Sequence, residues 1–265
     1  MIRIEKYHGL GNDFLVLLDL GALRPVDSAD ARALCDRHRG VGADGLIRVT
    51  PGEADAHFTM ELYNADGSRA EMSGNGIRCM AMALVDAGLS GQEMVVHTDA
   101  GDRLVTVDDD GWATVDMGPA QVEPKDVGVA FVNMGNPHTV VEVEDLTKLR
   151  IAKRAAEWQG RNVEFVQLGP GPGPERPSER AGRPESGRGA DTITMRVWER
   201  GVGETLACGT GACAAAAAAF VWGRISGGKV IVHQPGGDAT VELRGDTMIL
   251  SGPADHIATV EIPWR

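Results

Sequence analysis

Two short Gly-rich motifs each carry a side chain that could accept or donate a proton. They read Ser73-Gly-Asn-Gly and Cys208-Gly-Thr-Gly, and each is followed by an Ala-rich stretch. Glycines let successive backbone N–H groups converge on an anion, and the start of a helix carries about half a positive charge. A carboxylate is therefore the expected ligand at both motifs. Cys208 is expected to have a lowered thiol pKa there and to act as a base.

The two motifs belong to an internal repeat with an offset of 135 residues. At this offset, residues 58–64 fall on residues 193–199, and both segments alternate apolar and polar residues as strands do. The Ala-rich stretches predict two buried central helices, which Gly88 and Gly223 would end. The repeat predicts an α+β fold of two duplicated domains, residues 1–118 and 119–252. The final strand, within residues 253–265, is expected to return to the first domain.

Composition excludes several classes of protein. Of the 265 residues, 43% are hydrophobic and 24% are charged, which is typical of a globular chain with a core. The net charge of −12 gives no electrostatic support for binding nucleic acid or an anionic membrane. The longest apolar run, residues 212–222, is too short to span a bilayer, so the expectation is a cytoplasmic protein. Residues 169–190 are half Gly or Pro and predict a mobile surface loop.

Cofactor and metal motifs are weak or lacking in the sequence. Residues 40–45 match the G-x-G-x-x-G dinucleotide pattern, but a strand-like segment follows them where the motif needs a helix. The four cysteines, at positions 35, 79, 208 and 213, form no Cys-x-x-Cys pair and are expected to be buried free thiols. No lysine lies in a context typical of pyridoxal phosphate enzymes. We expect neither cofactor nor metal.

Polar residues next to predicted turns form a second group of candidates. Asparagines occur in this setting at positions 12, 64, 136 and 162, and Glu199-Arg200 ends a predicted strand. Asparagine also favours turns for conformational reasons, and an acidic–basic pair can be a surface ion pair. From the residues alone, binding of a zwitterion and ordinary turn chemistry both remain open.

Taken together, these motifs resemble diaminopimelate epimerases. The resemblance rests on His8-Gly-Leu-Gly-Asn-Asp-Phe, Asn64-Ala-Asp-Gly-Ser, Ser73-Gly-Asn-Gly-Ile-Arg, Gly135-Asn-Pro-His and the long segment from Trp198 to Cys213. It covers essentially the whole chain, and only residues 169–190 look like an insertion. It implies two pseudo-symmetric domains, each with a strongly curved, mostly antiparallel sheet around a central helix.

The resemblance also implies a reaction and a set of site residues. The reaction is epimerisation of LL-diaminopimelate to meso-diaminopimelate without pyridoxal phosphate, in lysine and peptidoglycan precursor biosynthesis, by an isomerase whose two domains close over an amino-acid substrate. Cys208 matches one catalytic residue and Ser73 stands at the position of the other. His138 and Glu199 match residues that tune the protonation of the thiols. The substrate-binding positions are Asn12, Asn64, Gly74, Asn75, Asn136, Asn162, Glu199, Arg200, Gly209 and Thr210.

Ser73 departs from the family pattern, which has cysteine at this position. A hydroxyl is a much weaker acid and base than a thiol. Three explanations are open: a natural variant assisted by a neighbour, an introduced substitution, or a different reaction. A one-base isomerase or dehydratase resembling the phenazine-biosynthesis and proline-racemase-like enzymes, and a non-catalytic amino-acid-binding protein, are the alternative functions. A monomer and a homodimer are both compatible with the sequence.

Overall fold

The computed structural model describes residues 1–169, 191–225 and 228–263. The predicted mobile loop lies outside these residues except for Gly169. Contacts divide the chain into two units. Unit 1 comprises residues 1–115 together with residue 253 onward, and unit 2 comprises residues 116–252. Strands and helices are numbered below in chain order.

Unit 1 contains a sheet and two helices. Its strands are β1 (Ile2–Gly9), β2 (Asn12–Leu18), β3 (Gly45–Pro51), β4 (Phe58–Asn64), β5 (Glu93–Thr98), β6 (Gly101–Val107), β7 (Trp112–Pro119) and β17 (Asp255–Ile262). Its helices are α1 (Ser28–Cys35) and α2 (Gly74–Asp86). The strands pair in the order β17-β1-β2-β3-β4-β5-β6-β7, and the chain passes into unit 2 within β7. The β2–β3 and β4–β5 pairs are parallel, and the other pairs in this order are antiparallel.

Unit 2 is built in the same way. Its strands are β8 (Gln121–Asp126), β9 (Val129–Asn133), β10 (Pro137–Glu142), β11 (Asn162–Leu168), β12 (Asp191–Glu199), β13 (Gly203–Thr205), β14 (Lys229–Gln234), β15 (Gly237–Arg244) and β16 (Thr247–Pro253). Its helices are α3 (Ile151–Ala155) and α4 (Gly209–Val221), with 3-10 turns at Leu146–Lys148 and Ala156–Trp158. The strands pair in the order β8-β9-β10-β11-β12-β14-β15-β16, and β13 adds to β12.

The two units repeat one topology, which confirms the predicted duplicated α+β fold. Starting from β17 in unit 1 and from β8 in unit 2, parallel pairs occur at the third and fifth pairings of both sheets. The sheet of unit 1 packs on α2 through β1, β2, β3, β6 and β17. The sheet of unit 2 packs on α4 through β8, β9, β10, β11, β12, β14 and β15. Each sheet therefore curves around one central helix.

The central helices end as the sequence predicts. Gly88 and Gly223 follow α2 and α4 with φ of +67° and +66°, a backbone conformation that favours glycine. The N–H of Gly88 donates to the carbonyl of Val85, and the N–H of Leu89 donates to the carbonyl of Leu84. This is the two-bond Schellman pattern, which satisfies carbonyls left over at a helix end. The same two bonds follow α4.

An interior ion pair joins β2 and β3 in unit 1. The Arg48 guanidinium lies 2.8 Å from a carboxylate oxygen of Asp19 and 3.0 Å from one of Glu61. Burial alone would raise the pKa of Asp19, but hydrogen bonds from Arg48 and from two backbone N–H groups outweigh it and lower that pKa. Because the folded-state pKa is lowered, this carboxylate stabilises the fold above its unfolded pKa of about 4. That stabilisation is lost as the pH falls through the folded value.

The cysteines are all interior. Cys35, Cys79, Cys208 and Cys213 are buried, and no disulfide joins them. Burial, as the largest cause, raises the pKa of both Cys35 and Cys79 to about 12. Within the described ranges, no helix is long and apolar enough to cross a membrane.

Candidate active site

Both central helices begin on a side chain that could transfer a proton. Ser73 and Cys208 are the N-cap residues of α2 and α4, with nearly the same backbone angles, φ −137° and ψ 120° against φ −135° and ψ 116°. The N–H of Gly76 donates to Ser73 Oγ over 3.0 Å, and the N–H of Gly211 donates to Cys208 Sγ over 3.3 Å. The first turn of a helix directs further N–H groups outward, so both ends have the form expected of a carboxylate site.

In unit 1 the start of α2 is joined to the turn between β1 and β2. The Asn75 amide donates to Asn12 Oδ1 over 3.2 Å, and the Asn12 amide donates to Asp44 over 2.8 Å. The Arg78 guanidinium is fully buried and donates to Asn75 Oδ1 over 2.8 Å and to the Gly74 carbonyl over 2.9 Å. These bonds fix the orientation of two of the predicted binding amides.

Asn64, the third predicted amide of this unit, ends β4 beside the same segment. It pairs with Gly45 on β3, and its side chain donates to Ser68 Oγ over 2.9 Å. The next residue, Ala65, donates its N–H to the carbonyl of Asp44 over 3.0 Å. The strand end therefore places Asn64 near the Asp44 segment that also holds Asn12.

In unit 2 a chain of polar contacts leads from a buried pair to the thiol. His138 Nδ1 lies 2.7 Å from Glu164 Oε1, and His138 Nε2 lies 2.7 Å from Asn136 Oδ1. The Asn136 amide donates to Thr210 Oγ1 over 3.4 Å, and that hydroxyl lies 3.4 Å from Cys208 Sγ. Four of the predicted site residues are thus connected through side chains. These five residues are called the Cys208 cluster below.

The remaining predicted residues of unit 2 lie at the end of β12. Glu199 Oε1 accepts a hydrogen bond from the Thr205 hydroxyl over 2.5 Å. Asn162 Oδ1 accepts from the backbone N–H of Arg200 over 2.9 Å, and the Arg200 side chain is exposed. Asn162 also pairs with His138 across the parallel β10–β11 ladder. The strand end and the Cys208 cluster are therefore neighbours within unit 2.

The expected low pKa of Cys208 is wrong for this structure. Cys208 is only 6% exposed, and burial raises the pKa of its thiol well above the ordinary value. The charges of Glu199 and Glu164 raise it further, whereas hydrogen bonds from Thr210 and from the Gly211 N–H lower it by less. The helix start could be predicted from sequence, but its depth in unit 2 and the two nearby carboxylates could not.

The two helix starts differ in their ionisable neighbours. A Cβ on Gly76 would lie 3.2 Å from Ile47 and 3.1 Å from Cβ of Ser73. A Cβ on Gly211 would lie 2.7 Å from Glu164 Oε1 and 3.2 Å from the Cys208 sulfur. Ile47 on β3 therefore occupies the place that Glu164 occupies on β11. The thiol has a carboxylate beside it where the hydroxyl has an alkyl side chain.

Four residues of these clusters were not among the sequence candidates. Glu164 interrupts an otherwise apolar strand, which is a readable signal for a special role. Asp44 lies inside residues 40–45, and Arg78 lies inside the Ser73 motif, but neither carries a motif of its own. Gln234 accepts the backbone N–H of Cys208 over 2.8 Å and has no signal in the sequence.

Comparison with known proteins agrees with the sequence motifs. The family model described as diaminopimelate epimerase matches residues 4–123 and 130–257. A diaminopimelate epimerase from Synechocystis sp. is 35% identical, with 97% of each chain covered. A diaminopimelate epimerase from a Synechococcus strain is 38% identical, with 96% of this chain and 95% of the relative covered.

Solved structures share the fold at low identity. A phenazine biosynthesis protein of the PhzF family from Bacillus anthracis superimposes with a TM-score of 0.73 at 16% identity, covering 99% of both chains. A hydroxyproline epimerase from Agrobacterium vitis, solved with bound trans-4-hydroxy-L-proline, gives 0.68 at 15% identity, covering 98% of this chain and 91% of that one. At such identity these likenesses establish the fold alone. The family match over both halves and the relatives above 30% identity establish more: the chain belongs to the diaminopimelate epimerase family.

Proposed function

We propose that the protein epimerises LL-diaminopimelate to meso-diaminopimelate without pyridoxal phosphate or metal, with Cys208 as one proton-transferring group and Ser73 as the other. The observation that carries the proposal is Cys208, a thiol at the start of a central helix with its own polar cluster, in a chain of this family. The relatives named above supply the substrate by their own names.

The helix starts would stabilise the charge that develops during the reaction. Removal of the α-proton leaves a negative charge that spreads into the α-carboxylate. Backbone N–H groups at Gly74 and Asn75, and at Gly209 and Thr210, are suited to receive this carboxylate. They are fixed before the reaction begins and belong to the positive ends of α2 and α4. The carboxylate and its conjugated anion would thus bind better as the charge grows.

Proton transfer would use one group on each face of the α-carbon. In one direction the Cys208 thiolate accepts the α-proton while the Ser73 hydroxyl gives a proton to the opposite face. Cys208 is then a thiol and Ser73 an alkoxide until solvent protons restore the starting state. An alkoxide is far more basic than a thiolate, and in unit 1 the position matching Glu164 is the apolar Ile47. We therefore expect slow turnover with Ser73.

Substrate binding would also adjust the thiol. Glu199 and Glu164 raise the Cys208 pKa when no cation is near. The α-ammonium of an amino acid would offset these charges, which would favour the thiolate once substrate is bound. Asn12, Asn64, Asn136 and Asn162 supply amides for the rest of a zwitterionic substrate. Arg200 is exposed and supplies a cation for a second carboxylate.

A second candidate function is supported by the serine itself. A one-base isomerase or dehydratase would need only Cys208, and the contrast between Ile47 and Glu164 fits such an asymmetry. The candidate is weaker because such an enzyme would have no use for two matched helix starts. Assembly into a homodimer stays a prediction from the sequence.

The function is tested by incubating the purified chain with LL-diaminopimelate and separating the stereoisomers by chiral chromatography. We expect meso-diaminopimelate to accumulate without added cofactor and to persist as a product in the presence of a chelator. An unsaturated or deaminated product would support the dehydratase instead. No change in the substrate, together with calorimetric evidence of binding, would leave only an amino-acid-binding role.

A further inference from the structure

Glu164 is a carboxyl group enclosed in the interior of unit 2. Its side chain has no solvent exposure, and its neighbours along β11, Val163 and Phe165, are fully buried apolar residues. Oε1 contacts His138, while Oε2 has no hydrogen-bond partner within the described residues. A buried carboxyl group with an unsatisfied oxygen is costly and is seldom retained for packing alone.

The contacts of His138 define how its ring is held. Both ring nitrogens face oxygen atoms that accept hydrogen bonds, Glu164 Oε1 on one side and Asn136 Oδ1 on the other. One proton therefore lies between Nδ1 and Oε1, and a second lies on Nε2 and points to Asn136. The carboxyl group of Glu164 fixes both the ring orientation and the direction of the Nε2–H bond.

From His138 the hydrogen bonds run in one direction toward the thiol. His138 Nε2–H donates to Asn136 Oδ1, and Asn136 Nδ2–H donates to Thr210 Oγ1. Because Thr210 Oγ1 already accepts a hydrogen bond, its own hydrogen is available to donate to Cys208 Sγ, 3.4 Å away. A donor aimed at the sulfur stabilises its ionised form.

The first turn of α4 is shaped to admit the Glu164 carboxyl group. A Cβ on Gly211 would lie only 2.7 Å from Glu164 Oε1, so a larger residue at this position would push the carboxyl group away. The same point is 3.2 Å from Cys208 Sγ. The glycine therefore lets carboxyl group and thiol approach each other across the helix start.

We propose that Glu164 is a positioning residue for proton transfer at Cys208. It holds His138, and through Asn136 it fixes the Thr210 hydroxyl that faces the sulfur. The proposal rests on the proposed function in one respect, that Cys208 transfers a proton. It applies to Cys208 alone, because the matching strand positions in unit 1 are occupied by Ile47 and, across the β2–β3 ladder, Phe14.

The ionisable groups that face the thiol have different placements. Glu164 comes from β11, Glu199 from the end of β12, and His138 from β10 behind Asn136. Glu164 and Glu199 both raise the Cys208 pKa directly. Removal of the Glu164 charge should therefore make the thiol ionise at lower pH, while loss of the fixed His138 ring should impair turnover. A residue with a merely structural role would not produce these two effects together.

The test is Glu164→Gln, which keeps the size of the side chain and removes its charge. The first measurement is the rate of Cys208 alkylation by iodoacetamide at pH 8 without substrate, followed by peptide mass spectrometry. We expect at least about a threefold increase, the effect of a pKa lowered by half a unit on the thiolate fraction. Labelling of Cys35, which is buried in unit 1, reports any general loosening and should not change.

The second measurement is turnover of LL-diaminopimelate by the same variant. We expect kcat to fall by about 10–100-fold, the usual effect of losing a carboxylate that orients a functional histidine, with KM nearly unchanged. Glu164→Asp, which keeps the charge, should restore the alkylation rate toward that of the parent chain. It also serves as the test variant if Glu164→Gln does not fold, with a partial loss of kcat expected.

Asp19→Asn is the matched control. It removes another buried carboxylate, one paired with Arg48 in unit 1, and should lower the melting temperature without changing the alkylation rate of Cys208. An equal increase of alkylation in Asp19→Asn, or an unchanged rate in Glu164→Gln, would overturn the proposal. If the parent chain does not epimerise diaminopimelate, the proposed function fails, and the role of Glu164 is then judged on alkylation alone.

Discussion

Replacing Cys208 with alanine is expected to reduce epimerisation of LL-diaminopimelate by at least about 10²–10⁴-fold, because it removes the stronger of the two proton-transferring groups. The substitution takes away one sulfur atom at a helix N-cap. Binding of the carboxylate depends on backbone N–H groups that remain. We therefore expect kcat to account for nearly all of the loss and KM to change little, as measured by initial rates with chiral product analysis.

Cys213→Ala is the matched control for this variant. Cys213 lies on the same helix, is equally enclosed and is followed by alanines, so the chemical change is the same five residues away. Its activity should stay close to that of the parent chain. Full activity in Cys208→Ala, or an equal loss in both variants, would remove Cys208 from the reaction.

Replacing Ser73 with cysteine is expected to increase epimerisation by about 10²–10⁴-fold if proton transfer limits the rate. The two residues differ by one atom, and the backbone of Ser73 already has the angles found at Cys208. A sulfur there would accept the Gly76 N–H as Cys208 accepts that of Gly211. The geometry should therefore survive while the acidity of the group rises by several pKa units.

Ser73→Ala provides the comparison. It removes the hydroxyl and an N-cap bond, which costs about 0.5–2 kcal/mol of stability, so its melting temperature is measured alongside its activity. We expect Ser73→Ala to be less active than the parent chain. If the parent turns over fast and Ser73→Cys changes nothing, the assignment of Ser73 to the second proton transfer is wrong. If both are inert yet bind another amino acid, the substrate assignment is wrong.

The parts of the fold that follow local patterns could be predicted from the sequence. The alternating segments became β4 and β12, the Ala-rich stretches became α2 and α4, and Gly88 and Gly223 end these helices. Each of these depends on residues that are close in the chain. The repeat at 135 residues then extended one domain's interpretation to the other.

The chemistry of the Cys208 cluster depended on contacts between distant segments, and the sequence did not show them. The helix start at Cys208 suggested a low thiol pKa, because a helix end is a local feature. Glu164 lies 44 positions earlier in the sequence and reaches the same point only through the β11 packing on α4. Its charge, together with burial, reverses the expected direction. Resemblance could transfer residue roles, but not the protonation state of a buried thiol.

Proton exchange at the α-carbon tests the central claim most directly. LL-diaminopimelate is incubated with the chain in heavy water, the α-proton signal is followed by NMR, and the stereoisomers are separated at intervals. We predict that deuterium enters the α-carbon and that meso-diaminopimelate appears with it, since inversion brings a solvent-derived proton to the opposite face. Exchange without inversion, elimination of a substituent, or no exchange at all in an intact, substrate-binding protein would contradict epimerisation by Cys208 and Ser73.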